Sequence, residues 1–439
     1  MECLERVKER LREPMQMLKE IEGLPEIFSN CFLNTLETTV SLPETGGAFV
    51  ITGDIPAMWL RDSTEQMLHY VRFAAQEKSV AQLIESLIAR QVRCILTDPY
   101  ANAFNQESNQ NHIYNDLPVP GPEVWERKYE VDSLCHAVLL AERYYAVTGS
   151  DAIFTGDFWA AMNTIVKVFT VEQHHENQSS YSFTRTSCPP SDTLIRGGRG
   201  AQTSYTGMTW CGFRPSDDAC TYGYLIPANL FAVKTLDDIE SMASACCKPE
   251  LAQRASRLCR EIRKGIERFA MVEHPRFGTM YAYEVDGMGN HLLMDDANVP
   301  SLLSLPYLGV CANNEPLYVH TRAFALSAEN PYFFSGKAGK GIGSPHTPEG
   351  YIWPISLCVQ AMTTEDVNEI ATLVITLLQS SVGTACMHEG FNKDDPTLFT
   401  RPWFAWANSM FGEMLYGLYE RGMLAEVLTV VKTAGITKI

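Results

Sequence analysis

The sequence predicts an all-α domain closed as a ring of helical hairpins, and three observations lead there. Long segments repeat apolar residues every three or four positions, six short polar and aromatic stretches interrupt them at intervals of roughly 40 to 90 residues, and strand patterns are scarce. Each interval has room for two helices of about 12 to 20 residues, so six hairpins carry one stretch each on a common rim. No Pro/Ser/Gly-rich linker divides the 439 residues, and positions 1–439 read as a single domain.

Taken in chain order, the first stretch is TGDIPAMWLRDSTEQ (Thr52–Gln66) and the second is VWERKYEVDSL (Val124–Leu134). Val131, Leu134, Val138, Ala141 and Tyr145 then recur at helical spacing, so the helix after the second stretch hides one face. The third stretch, WCGFRPSDDACTYGYLIPAN (Trp210–Asn229), precedes another helical stripe of Leu251, Ala255, Leu258, Ile262, Ile266 and Phe269. Between Gly278 and Leu293, Tyr281, Tyr283 and Val285 alternate before Asp286-Gly287 and Leu292-Leu293 follow, which predicts a β-hairpin insertion turned at the Asp-Gly pair. LMDDANVPSLLSLPYLG (Leu293–Gly309), SGKAGKGIGSPHTPEGYIWP (Ser335–Pro354) and MHEGFNKDDPTLFTRPWFAWANS (Met387–Ser409) complete the set. The first and last stretches read as two jaws of one site.

The formal charge of −17 has no basic block to balance it, which argues against nucleic acid or an anionic membrane as partner and for a neutral ligand. The N-terminal MECLERVKERLREPMQMLKEI lacks an apolar core, and the longest apolar runs, such as Ala371 to Leu378, are too short to cross a bilayer. Thirteen cysteines include no C-x-x-C pair, and Cys135, Cys259 and Cys358 fall in apolar stripes. The expectation is a reduced, cytoplasmic protein without zinc, in which the Asn177-Gln178-Ser179 sequon is idle.

Carboxylates, a few bases and Trp or Tyr recur in nearly every stretch, which is what a sugar site needs: oxygens for hydroxyls and flat rings for C–H faces. In the first stretch Arg61 offers a fork of donors and Asp62 a pair of acceptors to vicinal hydroxyls, Trp59 offers a stacking face, and Ser63 is placed to cap the following helix. An internal Arg–Asp pair holding the loop is the plainer reading, but Asp54 adds a third charge that would be costly to bury for structure alone. Glu126 brings a carboxylate from the second stretch.

Adjacent Asp217 and Asp218, walled by Phe213, Tyr222 and Tyr224, would tend to keep one carboxyl protonated, as a general acid requires. Ser216 or Asp217 could equally cap a helix starting near Ala219. Glu389, before Gly390 on a loop, can be aimed at a water as a base, with His388 orienting it or a substrate hydroxyl. A zinc-protease H-E-x-x-H motif fails because position 392 is Asn392. Trp403, Phe404 and Trp406 cannot all face one core, so at least one, with Trp403 the candidate, is expected to stack on sugar. Gly336–Gly341 lacks the phosphate-loop pattern and reads as a mobile substrate loop, and His346 just beyond it touches a hydroxyl or fixes a turn. Asp295, Asp296 and Asn298 lack calcium-loop spacing; a helix cap with one hydroxyl contact, from Asn298, is the preferred reading.

GDIPAMWLRDS, GFRPSDDA, MDDANVPSLLSLPYLG and the HEGFN and RPWFAWANS pair resemble the signature blocks of glycoside hydrolase family 125, the exo-acting α-mannosidases. The resemblance spans roughly positions 45 to 413, in four long blocks in the right order, and leaves the first 40 residues and Glu172–Tyr205 unmatched. It implies an (α/α)6 barrel, inverting hydrolysis of terminal non-reducing α-1,6-linked mannose, no metal and no other cofactor. Its acid falls within Asp217-Asp218, here assigned to Asp217, and its base on Glu389. The implied partner is a mannose-containing oligosaccharide or N-glycan fragment. A non-catalytic sugar-binding toroid would have no use for both carboxylates, and a glycoside phosphorylase using Lys337–Gly341 for phosphate would need no base at Glu389.

Overall fold

A computed structural model of the chain describes residues 2–110 and 115–436, about half of them helical. The helices are α1 (Glu2–Arg10), α2 (Arg12–Leu18), α3 (Leu24–Asn34), α4 (Leu60–Leu68), α5 (Lys78–Thr97), α6 (Val131–Thr148) and α7 (Gly156–Glu172). Short turns α8 (His175–Gln178) and α9 (Ile195–Gly198) precede α10 (Ile226–Ala245), α11 (Pro249–Phe269), α12 (Pro316–Ala325), α13 (Pro354–Met362), α14 (Val367–Ser380), α15 (Ala405–Glu420) and α16 (Leu424–Thr433).

The inner helices pack side by side: α4 on α6, α6 on α10, α13 on α15, and α15 back on α4. Behind them α5 packs on α7, α7 on α11 and α14 on α16, while α3 lies along α15. Sequence decides which layer each helix joins. In α6 every residue from Val131 to Ala141 is buried, as an inner helix requires, whereas α11 buries only Leu251, Ala252, Ala255, Leu258, Cys259, Ile262, Gly265 and Ile266 and turns charges outward. Each such Leu or Ile contributes roughly 1.5–3 kcal/mol of apolar burial. Gly412 permits the close approach of α15 to α3, because a Cβ there would stand 2.8 Å from the Phe32 Cα.

One expected hairpin departs from regular helix. Ser301–Gly309 runs as tight turns beside α10, with Leu302, Leu303, Leu305 and Leu308 buried, and Tyr307 bonds Glu65 of α4 and Glu413 of α15. Pro300 and Pro306 break the apolar run, since neither has an N–H to continue a helix.

Strands are short but less scarce than the sequence suggests: the described residues hold seven sheets of two or three strands. The predicted hairpin pairs Glu284-Val285 with His291-Leu292, and Asp286 accepts backbone N–H bonds from Met288 and Asn290 across the turn. Gly278–Tyr281 belongs to a separate hairpin with Met271–His274. Three sheets matter for the site. Met58-Trp59, Tyr224-Leu225 and Tyr351-Ile352 each pair in a sheet and lead into α4, α10 and α13. The inner helices α4, α6, α10, α13 and α15 thus start from extended residues with no side-chain cap, while outer helices α7 and α14 are capped by Thr155 and Asp366. The expected Ser63 cap is not formed: Ser63 lies inside α4 and donates to the Leu60 carbonyl.

Candidate active site

The N-terminal ends of α4, α13 and α15 open onto one narrow cavity of about 50 Å3. Positive helix ends suit the carboxylates gathered there. Thr52, Ile55, Trp59, Arg61 and Asp62 come from the first stretch, Pro215, Ser216 and Asp217 from the third, and Asn298 from the fourth. His346 and Trp353 come from the fifth, and Glu389, Arg401, Phe404 and Trp406 from the last. The first and last stretches are joined directly: Gly53 bridges Phe404, Ala405 N–H donates to the Thr52 carbonyl, and Arg401 forks onto Asp54. Gly53 has φ +120°, and a Cβ there would lie 3.0 Å from the Trp403 carbonyl oxygen, so glycine is required at this junction.

Arg61 is buried and organises one side. Its guanidinium donates to Glu130 at 2.7 Å and Asp132 at 3.1 Å, lies 3.6 Å from Asp217, and covers the Trp406 ring at 5.5 Å. Asp62 accepts the Thr52 hydroxyl. No helix starts at Ala219; residues 213–219 form a tight turn closed by a Phe213–Ala219 bridge, with Asp217 left-handed at φ +67°. Lys128 Nζ donates to the Asp217 main-chain carbonyl at 2.8 Å and pins that unusual conformation. Asn102 Nδ2 reaches Asp217 at 3.3 Å, Glu126 at 2.9 Å and Glu130 at 3.4 Å. Burial by itself would raise the Asp217 carboxyl, but Lys128, a hydrogen bond from Glu130, Arg61 and His346 together hold it well below the usual carboxylate range. Burial drives Glu130 the other way, well above its ordinary range, with Arg61 opposing and Asp217 and Asp132 reinforcing.

Glu389 stands in simpler surroundings. Arg401 lies 3.5 Å from it and is itself fixed by Asp54 at 3.0 and 3.2 Å, over the Phe404 ring at 4.2 Å. His388 does not line the cavity; its ring stacks on Phe399 at 3.8 Å, and burial lowers its pKa. Across the cavity His346 lies 3.5 Å from Asp218, which outweighs burial and raises the imidazole to about 9.

Of the residues singled out from sequence, Trp59, Arg61, Asp62, Asp217, Asn298, His346 and Glu389 line the cavity together. Asp218 stands behind it, accepting from Ser216 at 3.2 Å and holding His346. Glu126 is also behind, bonded by Asn102 and by Arg185 at 2.8 Å. Trp403 is outside the lining and donates its Nε1 to Asn34 at 3.2 Å, while Phe404, Trp406 and Trp353 supply the aromatic walls. Asn298 donates to Asp296, and Asp295 accepts the N–H groups of Leu302 and Leu303; the expected helix cap is not formed, because turns rather than a helix follow. Gly336–Gly341, expected as a mobile substrate loop, is instead the turn (336–339) and the start of the second strand of a β-hairpin held to Asp394 and Lys393, outside the lining. Sequence reasoning missed Asn102, Glu130 and Arg401. The last lay within the RPWFAWANS block, where its charge beside three aromatics was the available signal.

Aromatic walls over a floor of arginines and carboxylates, on a ring of helices, define a carbohydrate-cleaving enzyme, a glycoside hydrolase. The chain belongs to glycoside hydrolase family 125: the pattern of the metal-independent α-mannosidases of that family matches residues 22–416. A Streptococcus pneumoniae structure from the metal-independent α-mannosidases, a non-productive substrate complex with α-1,6-mannobiose, is 44% identical with a TM-score of 0.92, covering 95% of this chain and 98% of that one. The Meiotically up-regulated gene 157 protein of Schizosaccharomyces pombe is 40% identical over 451 residues, 96% of this chain and 85% of that protein. A bacterial glucoamylase complexed with acarbose shares the fold at a TM-score of 0.52 and 12% identity, over 86% of this chain and 51% of that one. Among the described residues no helix is long and apolar enough to cross a membrane.

Proposed function

We propose that this α-mannosidase is an inverting, exo-acting enzyme that removes terminal non-reducing α-1,6-linked mannose from glycans, working on a single-domain (α/α)6 barrel. The observation that carries this reading is one cavity lined by both Asp217 and Glu389, with Arg61, Asp62 and three tryptophans around them. The relative captured with α-1,6-mannobiose supports the linkage. Asp217 protonates the leaving glycosidic oxygen, Glu389 takes a proton from a water attacking the anomeric carbon on the opposite face, and the C–O bond breaks with inversion. Arg61 and Asp62 grip hydroxyls of the terminal sugar so that binding energy favours the oxocarbenium-like state, and Trp59, Trp353 and Trp406 wall its apolar faces. Arg401 fixes the aim of Glu389. The buried thiols of Cys31, Cys135 and Cys358 favour a reducing, cytoplasmic setting within the same proposal.

The test is release of mannose from α-1,2-, α-1,3- and α-1,6-mannobiose, with the product anomer followed by NMR in the first minutes. Cleavage of the α-1,6 dimer with β-mannose as first product is expected; α-mannose would replace the base by a nucleophile. Turnover without phosphate in the buffer excludes a phosphorylase.

A further inference from the structure

Glu130 is not among the cavity-lining residues, yet its position has a chemical consequence for Asp217. It is 1% exposed and accepts from Arg61 at 2.7 Å and from the Ser133 hydroxyl at 2.8 Å through one oxygen. Its other oxygen shares the Asn102 amide with Asp217 and Glu126, and an amide has two hydrogens for these three carboxyl oxygens. The amide cannot give each of the three oxygens a hydrogen of its own, and a proton held between Glu130 and Asp217 adds a bond there. Charge points the same way. Asp62, Glu130, Asp132 and Asp217 gather on Arg61, and Asp116, Glu126 and Asp192 on Lys128 and Arg185, the two groups meeting at Asn102 and at the Lys128 bond to the Asp217 carbonyl: seven carboxyls against these three cations and the His346 imidazolium. Close-set carboxyls in such excess make full ionisation costly and favour a proton retained on one of them.

We propose that Glu130 is the proton partner of Asp217: the two carboxyls share one proton in the resting enzyme, and Glu130 sets the pH range in which Asp217 can act as an acid. The inference rests on the reading of Asp217 as that acid. As Asp217 engages the glycosidic oxygen, the shared proton moves onto it and then to the leaving oxygen, forming an O–H bond as the C–O bond breaks. The pair is left doubly ionised, a state Arg61 and Lys128 stabilise, and a proton from solvent restores it through the cavity. Facing the pair are Arg61 and Asp62 of α4, Glu126 and Lys128 ahead of α6, Asp132 within α6, and His346 across the cavity. The opposite shifts of the two carboxyls, Glu130 upward and Asp217 downward, agree with a shared proton that rests mainly on Glu130.

The experiment uses the full chain and compares wild type with Glu130→Gln, Glu130→Asp and Asp217→Asn on α-1,6-mannobiose and on dinitrophenyl α-mannoside across pH. Glu130→Gln leaves Asp217 alone beside its cations. The alkaline limb of kcat/KM should therefore move acid by about one pH unit or more, with a loss of about 10-fold or more on mannobiose at pH 7 and little on the dinitrophenyl substrate. Glu130→Asp keeps a carboxyl and should restore part of both. An unmoved alkaline limb with equal losses on the two substrates overturns the proposal and leaves Glu130 as a clamp on Arg61. Where Glu130→Gln does not fold, Glu130→Asp decides alone: its carboxyl is one methylene further from Asp217, and an unmoved limb overturns the proposal. Asp217→Asn separates the two readings, because absence of leaving-group dependence there refutes the acid assignment itself, whatever position 130 shows.

Discussion

The two carboxyls of the cavity are built into opposite kinds of surroundings. Asp217 belongs to a web of buried carboxyls and cations, strained into a left-handed conformation and held at its main chain by Lys128. Glu389 meets one guanidinium, Arg401, whose other edge is locked onto Asp54. The difference follows from the work assigned to each. A proton donor set beside cations needs neighbouring carboxyls to keep a proton within reach, whereas a base needs only a fixed aim at its water.

The largest effects should separate the two sides by leaving group. Asp217→Asn is expected to cost about 10²- to 10⁴-fold on α-1,6-mannobiose while sparing in part a fluoride or dinitrophenyl mannoside, which departs without a proton. Glu389→Gln removes water activation, so both substrate kinds should fall together by a similar factor. Initial rates on the paired substrates decide it, and leaving-group dependence in Asp218→Asn instead would move the acid to the neighbouring residue.

A smaller loss tests whether aim is what the base side requires. Arg401→Met frees Asp54 and leaves Glu389 without its nearest cation, and a loss of about 10- to 100-fold in kcat on both substrates is expected. Arg401→Lys should recover little, because an ammonium cannot hold Asp54 and Glu389 on two edges of one plane. Full recovery by lysine would mean that charge alone matters there.

His346 offers a test by pH. Because Asp218 holds its imidazole at about 9, the side chain is charged at neutral pH, and Asp218→Asn should lower its midpoint toward 6.5, measured by NMR of the ring. The folded value exceeds the unfolded one, so the stabilisation is complete below pH 6.5 and disappears as pH rises through about 9. The thermal midpoint of wild type should exceed that of Asp218→Asn at pH 6 and approach it near pH 10. The gap should be small, since the His346 side chain is 40% exposed.

How much of this was legible in the sequence differs between the two regions as well. Helical periods located α6 and α11, and the block residues Arg61, Asp62, Asp217 and Glu389 marked both sides of the cavity. The two-residue strands that launch α4, α10 and α13 carry too little alternation to register. Glu130 and Asn102 meet the site through partners far along the chain, Glu130 lying 69 positions from Arg61 and Asn102 115 from Asp217, and Arg401 reaches Asp54 across 347 positions. Local spacing cannot encode such pairings.

The smallest expected effect concerns Trp403, which an aromatic-cluster reading puts on the sugar and the fold puts elsewhere. Its Nε1 donates to Asn34 at the end of α3, and the walls of the cavity are Phe404 and Trp406 instead. Residues 403, 404 and 406 straddle the start of α15, so the chain turns between them and only the last two point inward. Trp403→Phe should therefore change kcat/KM by less than about 3-fold and lower stability by about 0.5–1.5 kcal/mol for the lost hydrogen bond. Trp406→Phe, by contrast, shrinks the ring that Arg61 covers and should lose about 10-fold or more, since a grip that slackens by a fraction of an ångström weakens the transition state directly. A larger kinetic loss at 403 than at 406 would show that the sugar reaches past Phe404, and that the cavity extends toward α3 when occupied.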